Sequence, residues 1–184
     1  MTLWHDITAA VASEFSDVPD VTQLVRLVVR LLLASVLGFI LGFERQQQAK
    51  PAGVRTHMLV AIGSALFVLI PQQAGTGPPD MSRVIQGLIA GIGFLCAGTI
   101  LKHGKDEQQV QGLTTAAGLW MTAAIGMACG LGRETTAVLS TLLAFTVLAG
   151  MPKLVSAIER RFGTPETKAE PAAGEDSRKP PPLN

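Results

Sequence analysis

Two patterns alternate along the 184-residue chain: long blocks almost free of charge, and short polar connectors that carry most of it. A helix needs about 20 apolar residues to cross the hydrocarbon core of a bilayer. Five blocks approach that length: about Val21 to Phe43, His57 to about Pro71, Val84 to Leu101, Gly112 to Gly130, and Thr135 to Met151. The second is short, which predicts a helix start a few residues before His57. Backbone in lipid must satisfy its own hydrogen bonds, and blocks of this length do so as helices. The expected fold is all-α, a polytopic membrane helix bundle of about five transmembrane helices.

The ends differ from the middle. Residues 1–20 contain Asp6, Glu14, Asp17 and Asp20 and lack the basic start of a cleavable signal peptide. Ile7 to Phe15 reads as a short amphipathic helix on the membrane surface. From Gly163 the chain is Pro-rich, charged and poor in large apolar residues, so it cannot bury enough surface to offset its chain entropy. The expected organisation is an N-terminal periplasmic segment (1–20), a transmembrane domain (21–152), and a basic helix end with a disordered cytoplasmic tail (153–184).

Composition agrees with the pattern. The chain is 48% hydrophobic and only 16% charged, against about 25% charged in soluble domains. A net charge of +1 gives no nucleic-acid surface. Lys/Arg bias in the loops sets orientation. With the N-terminus outside, the inner connectors hold Arg45, Lys50, Arg55, Lys102, Lys105, Lys153, Arg160 and Arg161, while the outer ones hold Arg83 and Arg133. The reading is N-terminus out, C-terminus in.

Lipid gives helices little hydrophobic reason to associate, so small residues must let backbones approach. Gly38 and Gly42, Gly87 and Gly91, and Gly126 and Gly130 each stand four apart. Gly91, Gly93, Ala97 and Gly98 smooth the third span. These faces suit packing within the chain or a homodimer. The alternative for "GIGFLCAG" is a helix break whose carbonyls hold an ion. Cys96 and Cys129 both lie in apolar blocks and read as buried thiols.

Ionisable residues inside spans cost several kcal/mol unless paired or hydrated. Arg26 and Arg30 share a face of the first helix. Arg26 reads as snorkelling to the outer headgroups, and Arg30 lies deeper, with Asp80 as its expected partner. The densest polar stretch is "ERQQQAKPAGVRTH", residues 44–57, between two strongly apolar runs. Lys50-Pro51 opposes helix continuation and Gly53 allows a bend. Arg55 is expected to pair with Glu44. "GLTT" opens the fourth span from the same side, with Thr114 and Thr115 as candidate caps. Two helix N-termini with Lys50 and Arg55 would make a positive, donor-rich patch for an anionic ligand or a partner's acidic segment.

The stretch "GFERQQQAKPAGVRTHMLVAIGSALF" closely resembles the signature of the MgtC/SapB family of bacterial inner-membrane proteins. "SRVIQGLIAGIGFLCAGTIL" and "VQGLTTAAGLWMTAAIGMACGLG" match two later blocks in the same order. The resemblance covers about residues 24–150. It places the family's polar signature on Glu44, Arg45, Lys50, Pro51, Gly53, Arg55, Thr56 and His57. The second block falls on Arg83, Gly91, Gly93 and Gly98, and the third on Gly112, Leu113, Thr114, Thr115, Ala116 and Trp120. Cys96 stands where the family more often has glycine, and Gln111 where a basic residue commonly precedes Gly-Leu. Many relatives carry a C-terminal domain resembling ACT regulatory domains, and this chain looks like a short form without it.

The resemblance implies an inner-membrane protein acting in growth under magnesium limitation and in survival inside macrophages. It suggests the F-type ATP synthase as a regulated membrane partner. The competing reading is a transporter, or transport accessory, for Mg²⁺ or another ion. Magnesium is usually held through carboxylates, and Glu44 and Asp80 lie at opposite membrane edges. No nucleophile–base pair, metal-binding spacing or phosphate loop supports an enzyme, a resident metal or a cofactor. His57 reads as a structural hydrogen-bonder.

Overall fold

The structure, a computed structural model, describes residues 2–14, 20–101 and 111–162. Those residues form six helices and no strand: α1 (Thr2–Glu14), α2 (Val21–Gln47), α3 (Val54–Gln73), α4 (Pro78–Leu101), α5 (Leu113–Gly130) and α6 (Glu134–Phe162). Five of them, α2 to α6, are long and apolar enough to cross a membrane. The chain is thus the membrane helix bundle that its pattern predicts. α1 starts earlier than the expected Ile7 and packs on no other described helix. Phe15, Lys102, Lys105 and the tail from Gly163 lie outside the described residues.

Helix limits follow local chemistry. α2 begins at Asp20, whose carboxylate accepts from Thr22 N at 3.2 Å, which satisfies one orphan amide. α4 begins at Pro78, six residues before the expected Val84. Proline is suited to a first helical turn, and Asp80 in that turn favours the positive end of the helix. α6 continues through Pro152 to Phe162, so the apolar span and the basic end form one helix.

Three helices end with the same device, a left-handed residue whose amide and the next one fold back onto the last turn. After α3, Gly75 (φ 75°) donates to Gln72 O and Thr76 to Pro71 O. After α5, Gly132 (φ 72°) donates to Cys129 O and Arg133 to Ala128 O. After α2 the left-handed residue is Ala49 (φ 52°), which donates to Gln46 O, while Lys50 donates to Arg45 O.

The core is built on α3. Gly38 and Gly42 of α2 lie on one side of it: a Cβ on Gly38 would come within 2.8 Å of His57 O, and one on Gly42 within 2.7 Å of Val54 Cα. Gly126 and Gly130 of α5 lie on another, against the backbone of Ala61 and Ala65. Ala34, Leu37, Leu41, Ala61, Ala65, Leu69, Ile125, Cys129 and Ala137 fill the space between. Thr122 and Thr141 are buried but satisfied, each donating to the carbonyl four residues earlier.

The other glycines behave differently. Gly87, Gly91, Gly93 and Gly98 of α4 have nothing within 4 Å of where a Cβ would stand. These positions are open, so of the two packings considered, within the chain or in a homodimer, these four make no close packing within the chain. α4 is also unbroken from Pro78 to Leu101, which removes the helix break considered for "GIGFLCAG". Cys129 is buried, Cys96 half-buried, and both are free thiols.

Candidate functional site

Polar side chains gather at both ends of this apolar bundle. At the end carrying Arg45, Lys50, Arg55, Lys153, Arg160 and Arg161, three signature residues are almost fully buried: Glu44 (4% exposed), Arg45 (3%) and His57 (0%). The last turn of α2 delivers the first two and the first turn of α3 the third. Their burial requires the glycines around them. Gly42 admits His57 from the α2 side. On the α5 side, a Cβ on Gly118 would be 3.7 Å from His57 Nε2.

Each of the three has a partner, and that of Glu44 is not the expected Arg55. Glu44 Oε1 accepts from Gln48 Nε2, one turn on. Arg45 Nη2 donates to Thr115 Oγ1 at 3.2 Å, which ties α2 to the first turn of α5. His57 Nδ1 lies 3.1 Å from Gly53 O. A carbonyl only accepts, so Nδ1 carries the hydrogen. Glu44 Oε2, Arg45 Nε and His57 Nε2 are buried without a partner among the described residues. Such atoms mark either stored cost or a place where a ligand or water completes the set.

The connector is built differently from its expected form. Arg55 is exposed and makes no ion pair with the buried Glu44, whose Oε1 accepts from Gln48 instead. Gly53 is not the bend: its φ is −84°, and the left-handed positions are Ala49 and Ala52. Glycine is needed at 53 for space, since a Cβ there would come within 2.9 Å of Gln46 Oε1. That same oxygen accepts from Val54 N at 3.3 Å and caps α3. Lys50 is exposed, and Pro51 and Thr56 are half-buried.

The α5 start is also corrected. Its cap residue is Gly112 (φ 91°), with no side-chain cap. A Cβ on Gly112 would come within 2.7 Å of Thr99 O, so both conformation and space demand glycine. Thr115 serves Arg45 rather than the helix start, and Thr114 is exposed. Trp120 lies away from this end, beside Leu88, Ile89 and Ile92 of α4.

Arg45, Gln48, Lys50, Gly112, Thr114 and Thr115 face a cleft of about 1150 Å³ whose far wall is the second half of α6. The sequence reading missed Gln46, Gln48 and that wall. Gln48 had a signal, four residues after Glu44 on one helix face. The Gln46 contact to Val54 spans a turn and had none.

At the opposite end, Arg30 binds three helices at once. Its Nη1 donates to Gly130 O at 3.1 Å, at the end of α5, and to Gln72 Oε1 at 3.0 Å, while Nε lies 3.7 Å from Glu134 Oε1. Its ion-pair partner is therefore Glu134, not Asp80. Asp80 and Arg83 are exposed on α4.

The fold and its two polar ends define a multi-pass membrane protein. Residues 31–157 match the family model described as "MgtC family". Protein SrpB of Synechococcus elongatus is 42% identical over 135 residues, 68% of this chain and 74% of that protein. Protein MgtC of Salmonella typhimurium is 42% identical over 116 residues, 63% of this chain and 48% of that protein. Protein MgtC of Brucella abortus is 42% identical over 126 residues, 68% of this chain and 51% of that protein. No solved structure matches. The chain belongs to the MgtC family, and it spans about half the length of the MgtC relatives it matches.

Proposed function

We propose that this inner-membrane protein is a non-enzymatic regulator that works by helix contact with another membrane protein. Its role would be in adaptation to low Mg²⁺ and in intracellular survival, with the F-type ATP synthase as the partner. The observation that carries the reading is α4. It is a 24-residue apolar helix, and its four glycines meet no side chain of their own bundle. In lipid the smooth stripe of Gly87, Gly91 and Gly98 gains most from a second helix at close range. The buried polar ends support the same reading, because they tie α2, α3, α5 and α6 to one another and leave α4 outside that polar network.

The test is ATP-driven proton pumping in inverted membrane vesicles from matched cells with and without the protein. The expected result is slower pumping with the wild type, and pumping restored by Gly91→Leu at equal protein level. Gly91→Leu fills the open face without touching the bundle. Pumping that is the same with and without the wild type would overturn the proposal.

A further inference from the structure

The cleft at the basic end has two unlike walls. One wall is polar: Arg45, Lys50 and the start of α5. The other is the apolar run Val147, Leu148, Met151 and Val155 of α6. The bias of Lys/Arg places it at the cytoplasmic face, so its apolar wall meets the inner leaflet and its polar wall the headgroup layer.

The polar wall is equipped for an anion by two independent features. Among the described residues no side chain caps the first turn of α5, and the amides of Leu113, Thr114 and Thr115 carry the donors and partial positive charge of a helix start. The second feature is Arg45. The residue is only 3% exposed, yet Thr115 Oγ1 is its sole side-chain partner among the described residues. Nε is left without a partner. A buried guanidinium with open donors wants a planar or tetrahedral oxyanion, which it holds with two parallel hydrogen bonds. Lys50, exposed at the rim, adds a second charge. Glu159 is the one carboxylate among the described lining residues. It lies on the exposed end of α6, where it can accept from a headgroup hydroxyl.

We propose that this cleft binds an anionic phospholipid of the inner leaflet, its phosphate on Arg45, Lys50 and the α5 amides and an acyl chain along α6. An inorganic anion would use the polar wall and leave the apolar one bare. A zwitterionic lipid would use the apolar wall and add little at Arg45. Only a phosphate carried on an acyl chain uses both. Basic pockets between membrane helices on the cytoplasmic side recognise headgroups in this way.

The experiment is native mass spectrometry of the full chain, released from detergent containing equal phosphatidylglycerol and phosphatidylcholine. The wild type is expected to retain phosphatidylglycerol about tenfold over phosphatidylcholine. Arg45→Gln is expected to lose about tenfold of that retention. Because Arg45 also joins α2 to α5, Lys50→Gln at the exposed rim is the second variant, with an expected loss of about fivefold. Millimolar inorganic phosphate is expected to leave the lipid in place. Equal retention of the two lipids, full retention in folded Lys50→Gln and Arg45→Gln, or displacement by inorganic phosphate would each overturn the proposal.

Discussion

Gly126→Leu is expected to yield no folded bundle, and even Gly126→Ala is expected to lose about 1–3 kcal/mol of stability. Any Cβ at position 126 runs into the backbone of Ala61, with its carbonyl oxygen, carbonyl carbon and Cα all in the way. Backbone cannot swing aside as a flexible side chain can, so α3 and α5 must separate. The loss comes despite a helix-propensity gain from glycine to alanine of about 1 kcal/mol. Gly91→Ala makes the same chemical change on α4, where nothing lies within 4 Å. It is expected to be neutral or to stabilise by up to about 1 kcal/mol. Thermal unfolding of the purified proteins in one detergent, followed by far-ultraviolet circular dichroism, checks the pair. Equal shifts for the two variants would sink the view that α5 docks on α3 through these glycines.

Arg30→Met is the second large effect, at about 3 kcal/mol. The guanidinium donates to Gly130 O and Gln72 Oε1, and charged hydrogen bonds contribute roughly 1.5–3 kcal/mol each. Gly130 ends α5, so the cation also faces the negative end of that helix. The ion pair is a separate and smaller matter. Glu134 is 45% exposed and 3.7 Å away, and exposed pairs contribute about 0–1 kcal/mol. Glu134→Gln is therefore expected to shift stability by less than about 1 kcal/mol. Denaturant midpoints of the two variants separate these contributions. A Glu134→Gln loss as large as that of Arg30→Met would mean that the ion pair, not the carbonyl contact, holds the outer end together.

The fold was legible because lipid leaves the chain few options: each apolar block had to be a helix, and block length fixed the number of spans. Contacts were harder. Spacing showed that Gly38 and Gly42 share a face, as do Gly87 and Gly91, but it could not show that α3 meets the first pair and nothing meets the second. Signature residues Glu44, Arg45 and His57 were legible as a group, since a charged run between apolar blocks demands a reason. Their bonds were not. Gln48 takes the role expected of Arg55, because a short amide one helical turn from Glu44 reaches it at less entropy cost than an arginine across a loop, and Ala49 and Ala52 take the bend expected of Gly53. Asp80 is the expected partner of Arg30 because it lies near the outer start of its span, whereas packing brings the ends of α3 and α5 and the start of α6 beside Arg30.

A protein that works by helix contact, as proposed, is a frame rather than a path for ions. Mg²⁺ uptake by proteoliposomes holding a fluorescent indicator separates the two, with monodisperse wild type, Arg55→Ala and empty vesicles side by side. The expected result is uptake by wild-type vesicles no faster than by empty ones. Faster uptake by the wild type, lost in Arg55→Ala, would contradict the claim and make the 44–57 connector part of a transport route.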